Sequence, residues 1–102
     1  MEQEDLLRAK LNGETSRMPW KELLRFFASG TVIAVSPELD LVDVAMRIAN
    51  DDAAAIAQWM VGNQVGKVSD AQASAWLEAD AALWTVVVKP WILVQQRDER
   101  KD

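Results

Sequence analysis

Apolar residues recur at helical spacing in several stretches of the chain. The pattern i, i+3, i+4, i+7 of an amphipathic helix is clearest in two places, namely Trp20, Leu23, Leu24 and Phe27, and again Leu41, Val44, Ala45 and Ile48. Shorter apolar stripes predict further helices over 2–11, between Asp52 and Gly62, and from Asp70 to about Asp80. The sequence therefore predicts five helices.

Residues that begin or end helices stand at the borders of these stripes. Asn12-Gly13 follows the first stripe, and glycine readily adopts the left-handed conformation that ends helices. Ser69 followed by Gln72 forms a capping box ahead of the fifth helix. The other predicted N-caps are Thr15 or Ser16 for the second helix, Asp40 for the third and Asn50-Asp51-Asp52 for the fourth.

Short apolar runs predict the strands of a small sheet. Thr31–Val35 is β-branched and apolar, Val65–Val68 is a brief extended piece, and Trp84–Lys89 and Trp91–Val94 are separated by Pro90. Because proline donates no ladder hydrogen bond, this last run is expected at a sheet edge or bent at Pro90. The predicted pairing joins Thr31–Val35 to Trp84–Val88.

These elements predict one α+β domain. About five helices pack on a sheet of two or three strands, over residues 1–96, and a charged C-terminal tail occupies 97–102. With 102 residues, half of them apolar, the chain fits one domain and leaves no room for two independent cores.

The composition removes several classes of chemistry. The chain has no cysteine and no histidine, which excludes disulfides, thiol or imidazole catalysis, and the Cys/His zinc sites. Asp40 and Asp43 share a helix face, and Asp51 adjoins Asp52, but helix capping explains these acids without a metal. No phosphate-binding glycine loop is present. We therefore expect no cofactor and no metal, and the absence of a catalytic motif favours a non-enzymatic protein.

Charge and hydropathy also limit the partners and the compartment. The net charge of −5 disfavours binding to nucleic acid, because such binding depends on lysine and arginine. No apolar run approaches the ~20 residues that span a membrane. The acidic N-terminus does not resemble a secretion signal, so a cytoplasmic location is expected. The remaining partners are another protein or a second copy of the chain.

Five tryptophans are the most unusual feature of the composition. Three of them lie on apolar helix stripes and are expected in the core. Trp84 and Trp91 flank Pro90 in a run too apolar for a solvated edge strand, and exposed apolar edges pair with other chains. The leading hypothesis is an interaction module that self-associates through this run, with the candidate surface Trp84, Val86, Val88, Pro90, Trp91 and Ile92.

A second hypothesis is a small-ligand or catalytic pocket between the N-terminal helices and the sheet. Its charged groups would be Arg8, Lys10, Glu14, Lys21 and Glu22. Surface charges on helices are more often only solvated, so this hypothesis requires that they converge on a concave site.

Several segments together resemble a known family. They are RAKLNGETSRMPWKELLRFFASG, DLVDVA, KVSDAQASAW and LWTVVVKPWILVQ, and the similarity covers about Asp5 to Gln96. As a set they resemble a family of small bacterial proteins of roughly one hundred residues, classed as a domain of unknown function. The resemblance implies a bacterial cytoplasmic setting, and it assigns no activity, cofactor or functional residue.

Overall fold

The computed structural model describes residues 2–96 as five helices, a 3₁₀ turn at Trp20–Leu23 and a five-stranded sheet. The helices are α1 (Glu2–Glu14), α2 (Leu24–Ala28), α3 (Leu41–Ala49), α4 (Ala53–Val61) and α5 (Asp70–Glu78). The strands are β1 (Ser16–Pro19), β2 (Val32–Val35), β3 (Val65–Lys67), β4 (Ala82–Val88) and β5 (Trp91–Gln95). The α+β class and the five helices are confirmed, whereas the prediction of two or three strands is wrong. The predicted tail at 97–102 lies outside the described residues.

The strand order is β1-β4-β5-β2-β3, so the two strands nearest the C-terminus occupy the interior of the sheet. β4 and β5 form an antiparallel hairpin across the Lys89–Pro90 turn, and β1 pairs antiparallel with the outer side of β4. β2 pairs parallel with β5, with Val32 opposite Ile92 and Val35 opposite Gln95. The predicted pairing of β2 with Trp84–Val88 is therefore wrong, since β5 lies between them.

Helices cover both faces of the sheet. α1, α3 and α4 pack on the face that we call the first, whose core includes Leu11, Val35, Leu41, Val44, Val86 and Leu93. The 3₁₀ turn, α2 and α5 pack on the second face, whose core includes Trp20, Leu23, Val32, Trp76, Leu83 and Val94. Alternate residues of β4 and β5 serve the two cores, as the pleat requires.

The chain between α1 and α2 departs from the predicted elements. α1 continues through Asn12-Gly13 to Glu14, and Thr15 donates its hydroxyl to the Leu11 carbonyl at 2.7 Å instead of capping a helix. Ser16 begins β1, because this short segment finds β4 as a neighbour. Helical geometry then resumes only at Trp20, since Pro19 is extended at ψ 137°.

The other predicted caps are confirmed. Asp40 accepts hydrogen bonds from the backbone N–H groups of Val42 and Asp43, and Asp52 accepts from Ala55. The Ser69 and Gln72 side chains form the reciprocal capping box of α5. Each cap satisfies donors that the first turn of a helix leaves unpaired.

Candidate functional site

The predicted surface belongs to a hairpin inside the sheet rather than to an outermost strand. The chain turns at Pro90, as one of the two expected alternatives has it, and β5 lies between β4 and β2. β1 borders β4 only at Ala82–Thr85, so Val86–Val88 have no strand of residues 2–96 on that flank. Val86 and Ile92 are only 1% and 8% exposed and belong to opposite cores. Trp84, Val88 and Trp91 pack against the first-face core and are half-buried, and Pro90 is exposed in the turn. Of this set, Trp91 alone lines the apolar groove described below.

The charged residues of the second hypothesis divide between two separate concavities. Arg8 lines one beside α3, whereas Lys21 and Glu22 line another between the 3₁₀ turn and the sheet. Arg8 lies within 3.4 Å of Asp43 and 3.9 Å of Asp40, on the α1–α3 side of the molecule. Lys21 lies 3.5 Å from Asp80, in the layer that covers the second face. The remaining three, Lys10, Glu14 and Glu22, are exposed. These exposed ion pairs contribute about 0–1 kcal/mol each, and they do not form one polar pocket.

The helix α4 presents an apolar surface that nothing in the described chain covers. Its nine residues, AAAIAQWMV, carry no charge and none of them is buried. Every other helix within residues 2–96 contains at least one charged residue. Met60 is 53% exposed and Val61 is 85% exposed, both well above the usual exposure of large apolar side chains. Trp59 turns inward onto the first-face core.

An apolar groove of about 390 Å³ runs between α4 and the sheet. Its walls come from Ile48 before α4, from Ile56 and Met60 of α4, and from Ile33 and Trp91 of the sheet. β3 forms one border of the groove along its whole length, Val65–Lys67. We call α4 together with this groove the α4 surface. Contiguous apolar surface of this kind is typical of protein–protein contacts.

The sequence carries one signal for the α4 surface, which is the lack of charge over Ala53–Val61. Ala53–Val61 is uncharged over two and a half turns, although its inward stripe contains only Ile56 and Trp59. An amphipathic surface helix ordinarily carries charged residues on its outer side. The lack of charge on the outer side of α4 is therefore the signal that was missed.

A second concavity lies on the other side of β3, at the carboxyl ends of the parallel strands β2 and β5. It measures about 410 Å³, and its side chains include Gln72 and Gln96. Gln72 Oε1 accepts from the Ser69 N–H at 3.1 Å, and Gln96 Oε1 accepts from Trp76 Nε1 at 3.0 Å. Because both partners are donors, each glutamine must direct its NH₂ group elsewhere. We call this concavity the amide cleft.

Titratable chemistry is sparse in the described chain. The backbone N–H of Ala55 and the Arg47 guanidinium, 2.9 Å from Asp52 Oδ2, hold the pKa of Asp52 below its ordinary value. This is the behaviour of a helix cap paired with a cation rather than of a general acid. Residues 2–96 contain no cluster of three or more carboxylates that could hold a metal ion. None of the helices in the same range has both the length and the apolar character needed to span a bilayer.

A comparison with known sequence families assigns the chain to one family over almost the whole fold. A sequence family described as "Protein of unknown function (DUF2288)" matches residues 6–96. The chain belongs to this family. The match includes all five strands, the α4 surface and the amide cleft. The resemblance to a domain of unknown function is thereby confirmed.

A solved structure has the same fold as this member of the DUF2288 family. The chain is similar to PA1075 from Pseudomonas aeruginosa, whose solution structure was determined by NMR, with 44% sequence identity and a TM-score of 0.82. The similarity covers 95% of this chain and 90% of that one. None of the curated proteins matches the chain.

Proposed function

We propose that this chain is a non-enzymatic interaction module that self-associates through the α4 surface. The observation that carries the proposal is α4 itself, an uncharged helix without a buried residue beside an apolar groove. The proposal keeps self-association but moves the contact away from β4 and β5, whose Val86 and Ile92 side chains are buried in the two cores.

The neutrality of α4 makes it the part of this acidic chain on which a second copy can pack without charge repulsion. Two copies, each with a net charge of −5, repel one another wherever acidic surface meets acidic surface. α4 offers them a contact without charge over its full length. Between identical chains a two-fold contact uses the same patch on both sides, so a neutral apolar patch is complementary to itself.

Sedimentation velocity from micromolar to millimolar concentration tests the proposal. We expect the wild-type mass to rise toward that of a dimer as the concentration increases. Val61→Glu should abolish this rise, because it places two new carboxylates in the apolar contact of each dimer. Leu6→Glu is the matched control, since Leu6 is also a highly exposed apolar residue (70%) but lies on α1. A wild-type chain that stays monomeric, or equal effects of the two variants, would refute the proposal.

The amide cleft supports a second candidate, binding of a small acceptor-bearing ligand. The two glutamine NH₂ groups, which are not used toward Ser69 or Trp76, and the absence of any acidic side chain from the cleft favour such a ligand in an otherwise acidic protein. Titration of ¹⁵N-labelled protein with acetate, and separately with phosphate, tests this candidate. Shifts confined to the side-chain amides of Gln72 and Gln96 and the Trp76 indole would support it, and unchanged spectra would eliminate both probes as ligands.

The proposed setting is the bacterial cytoplasm. Two features support it, the similarity to a Pseudomonas aeruginosa protein and the lack of cysteine. Fractionation of a native host, followed by detection with an antibody, would test it.

A further inference from the structure

We infer that two copies of the chain join by antiparallel pairing of their β3 strands around a two-fold axis at Gly66. This inference rests on the proposed self-association and specifies its geometry. It makes one continuous ten-stranded sheet from two five-stranded sheets, with the α4 helices of both copies on the same side.

β3 is the sheet edge that is open to such pairing. It ends the strand order, and the concavities on its two sides, the groove and the amide cleft, both include Val65–Lys67 in their lining. The opposite edge, β1, contains Pro19, which has no N–H to donate to a further strand. An added strand finds space for its side chains on both sides of β3.

The hydrogen-bond pattern of β3 shows which backbone groups face outward. Ser36 donates its N–H to the Gln64 carbonyl at 2.8 Å, which makes these opposed residues a hydrogen-bonded pair. Bonded and non-bonded pairs alternate in an antiparallel ladder. Gly66 is therefore bonded inward to Ala34, and Val65 and Lys67 direct their N–H and C=O groups toward the open edge.

These outward groups fit a second β3 in one register. With Gly66 opposite the Gly66 of a second copy, each Val65 faces a Lys67, and the two pairs exchange four hydrogen bonds. Gly66 then forms the close, non-bonded pair on the axis, where strands approach most nearly. A Cβ at Gly66 would meet no atom within 4 Å in the single chain, so the position is open.

Charge disfavours the neighbouring register centred on Lys67. A two-fold axis at Lys67 would place two lysines directly opposite each other, which is destabilising. The axis at Gly66 places each lysine stem beside a valine instead. Three residues of strand alone bury too little area for a stable interface, which requires roughly 1,200 Å² in total. The α4 surface, which borders β3, supplies the remaining contact.

A charge exchange at Gly66 tests the register. Gly66→Lys and Gly66→Glu each place like charges opposite one another across the axis, and we expect each to weaken dimerisation about fivefold. An equimolar mixture of the two variants should restore the wild-type dissociation constant, because unlike charges then face each other. Circular dichroism of each variant establishes that the monomer is folded. A mixture that associates no more tightly than either variant alone would overturn the inference.

A proline variant tests the outward hydrogen bonds. Lys67→Pro removes an outward N–H without removing any bond to β2, so proline is tolerated at this edge position. Loss of two hydrogen bonds per dimer should weaken association by roughly thirtyfold, whereas Lys67→Ala, which keeps the N–H, is the matched control. In the wild type, amide exchange at Val65 and Lys67 should slow as concentration rises.

The outcomes separate the two proposals. If Val61→Glu abolishes association while the Gly66 and Lys67→Pro variants associate as the wild type does, the β3 pairing is wrong and the α4 surface stands. If the wild type is monomeric up to millimolar concentration, both proposals are wrong.

Discussion

The buried side chain of Gln95 links the end of β5 to the loop between β2 and α3. It is 1% exposed, and its Nε2 donates to the Ser36 carbonyl at 2.8 Å and to the Leu39 carbonyl at 2.7 Å. Gln95→Glu keeps the shape of the side chain but replaces this donor with a carboxylate oxygen. The carbonyl oxygens of Ser36 and Leu39 would then face a carboxylate oxygen, a third acceptor, at hydrogen-bonding distance.

The expected loss of stability follows from these two contacts. Leaving a buried polar group unsatisfied costs about 1–3 kcal/mol for each group, and an uncompensated buried charge costs about 3–5 kcal/mol. We therefore expect Gln95→Glu to lower the free energy of unfolding by about 4 kcal/mol at pH 7. Small domains have about 5–15 kcal/mol in total, so this loss removes between about a quarter and four-fifths of the stability and leaves a folded protein with a lower denaturation midpoint.

The pH dependence of the loss separates charge from packing. The folded chain disfavours the ionised carboxylate of the variant, so its pKa is raised above the unfolded value of about 4.3. Because this pKa is raised, the variant regains the lost stability below about pH 4.3, and it loses that stability again as the pH rises through the pKa of the folded state. The difference from the wild type should therefore shrink in acid.

Urea denaturation followed by tryptophan fluorescence measures the effect. We expect the midpoint at pH 7 to fall by about 2 M. Gln96→Glu is the matched control, because Gln96 is exposed and its oxygen accepts from Trp76, a role that a carboxylate retains. Equal midpoints for Gln95→Glu and the wild type, or a deficit that does not change with pH, would refute the reasoning.

Four further predictions concern stability. Leu41→Ala empties a fully buried core position and should cost about 3 kcal/mol in urea denaturation. Ser69→Ala removes the capping box of α5 and should cost about 1 kcal/mol by the same assay. Trp76→Phe should cost about 1 kcal/mol more than Trp20→Phe, because Trp76 donates to Gln96 whereas the buried Trp20 indole N–H has no hydrogen-bond partner within residues 2–96. Because the pKa of Asp52 is lowered, its carboxylate stabilises the fold above the unfolded pKa of about 4, and this stability is lost as the pH falls through the folded pKa. Asp52→Asn keeps a capping oxygen but cannot titrate, so it should flatten the acid limb of a plot of stability against pH.

Each of these predictions has an outcome that contradicts it. A loss below 1 kcal/mol for Leu41→Ala would mean that the core closes around the missing atoms. Unchanged midpoints for Ser69→Ala, or equal losses for the two tryptophan variants, would mean that the hydrogen bonds concerned are replaced by water. An acid limb that Asp52→Asn leaves unchanged would assign the acid sensitivity to other carboxylates.

The helices that could be predicted are those with local signals at their ends. Asp40, Asp52 and Ser69 begin helices as predicted, because capping depends on atoms within three residues along the chain. The turn at Asn12-Gly13 was predicted to end α1 and does not, since a favourable C-terminal residue does not require the helix to stop. Ser16–Pro19 has no β-branched residue and contains proline, so nothing local predicts β1.

The position of the strands depended on partners distant in sequence. The valine, leucine and isoleucine content of β4 and β5 predicts strands, and Pro90 predicts an edge position or a bend. In the structure the bend is present, because Pro90 lies in the hairpin turn, where no ladder bond is needed. β2 flanks β5, and β1 flanks only the Ala82–Thr85 part of β4. The amino-acid composition of an apolar run does not distinguish a strand at the edge of a sheet from a strand in its interior.

The candidate site shows the same limit. Trp91 was predicted for the interaction surface and does line the apolar groove, but the rest of the groove comes from Ile33, Ile48, Ile56 and Met60, far away along the chain. The outward direction of β3 backbone groups depends on its pairing with β2, which no local pattern specifies.

The strand order has a consequence for synthesis of the chain on the ribosome. The central hairpin Ala82–Gln95 follows every other strand in the chain, and without it β1 has no neighbour and β2 pairs with β3 alone. The sheet is therefore completed only after the hairpin has left the exit tunnel of the ribosome. Until then the open β2–β3 pair is exposed to premature contact with other nascent chains.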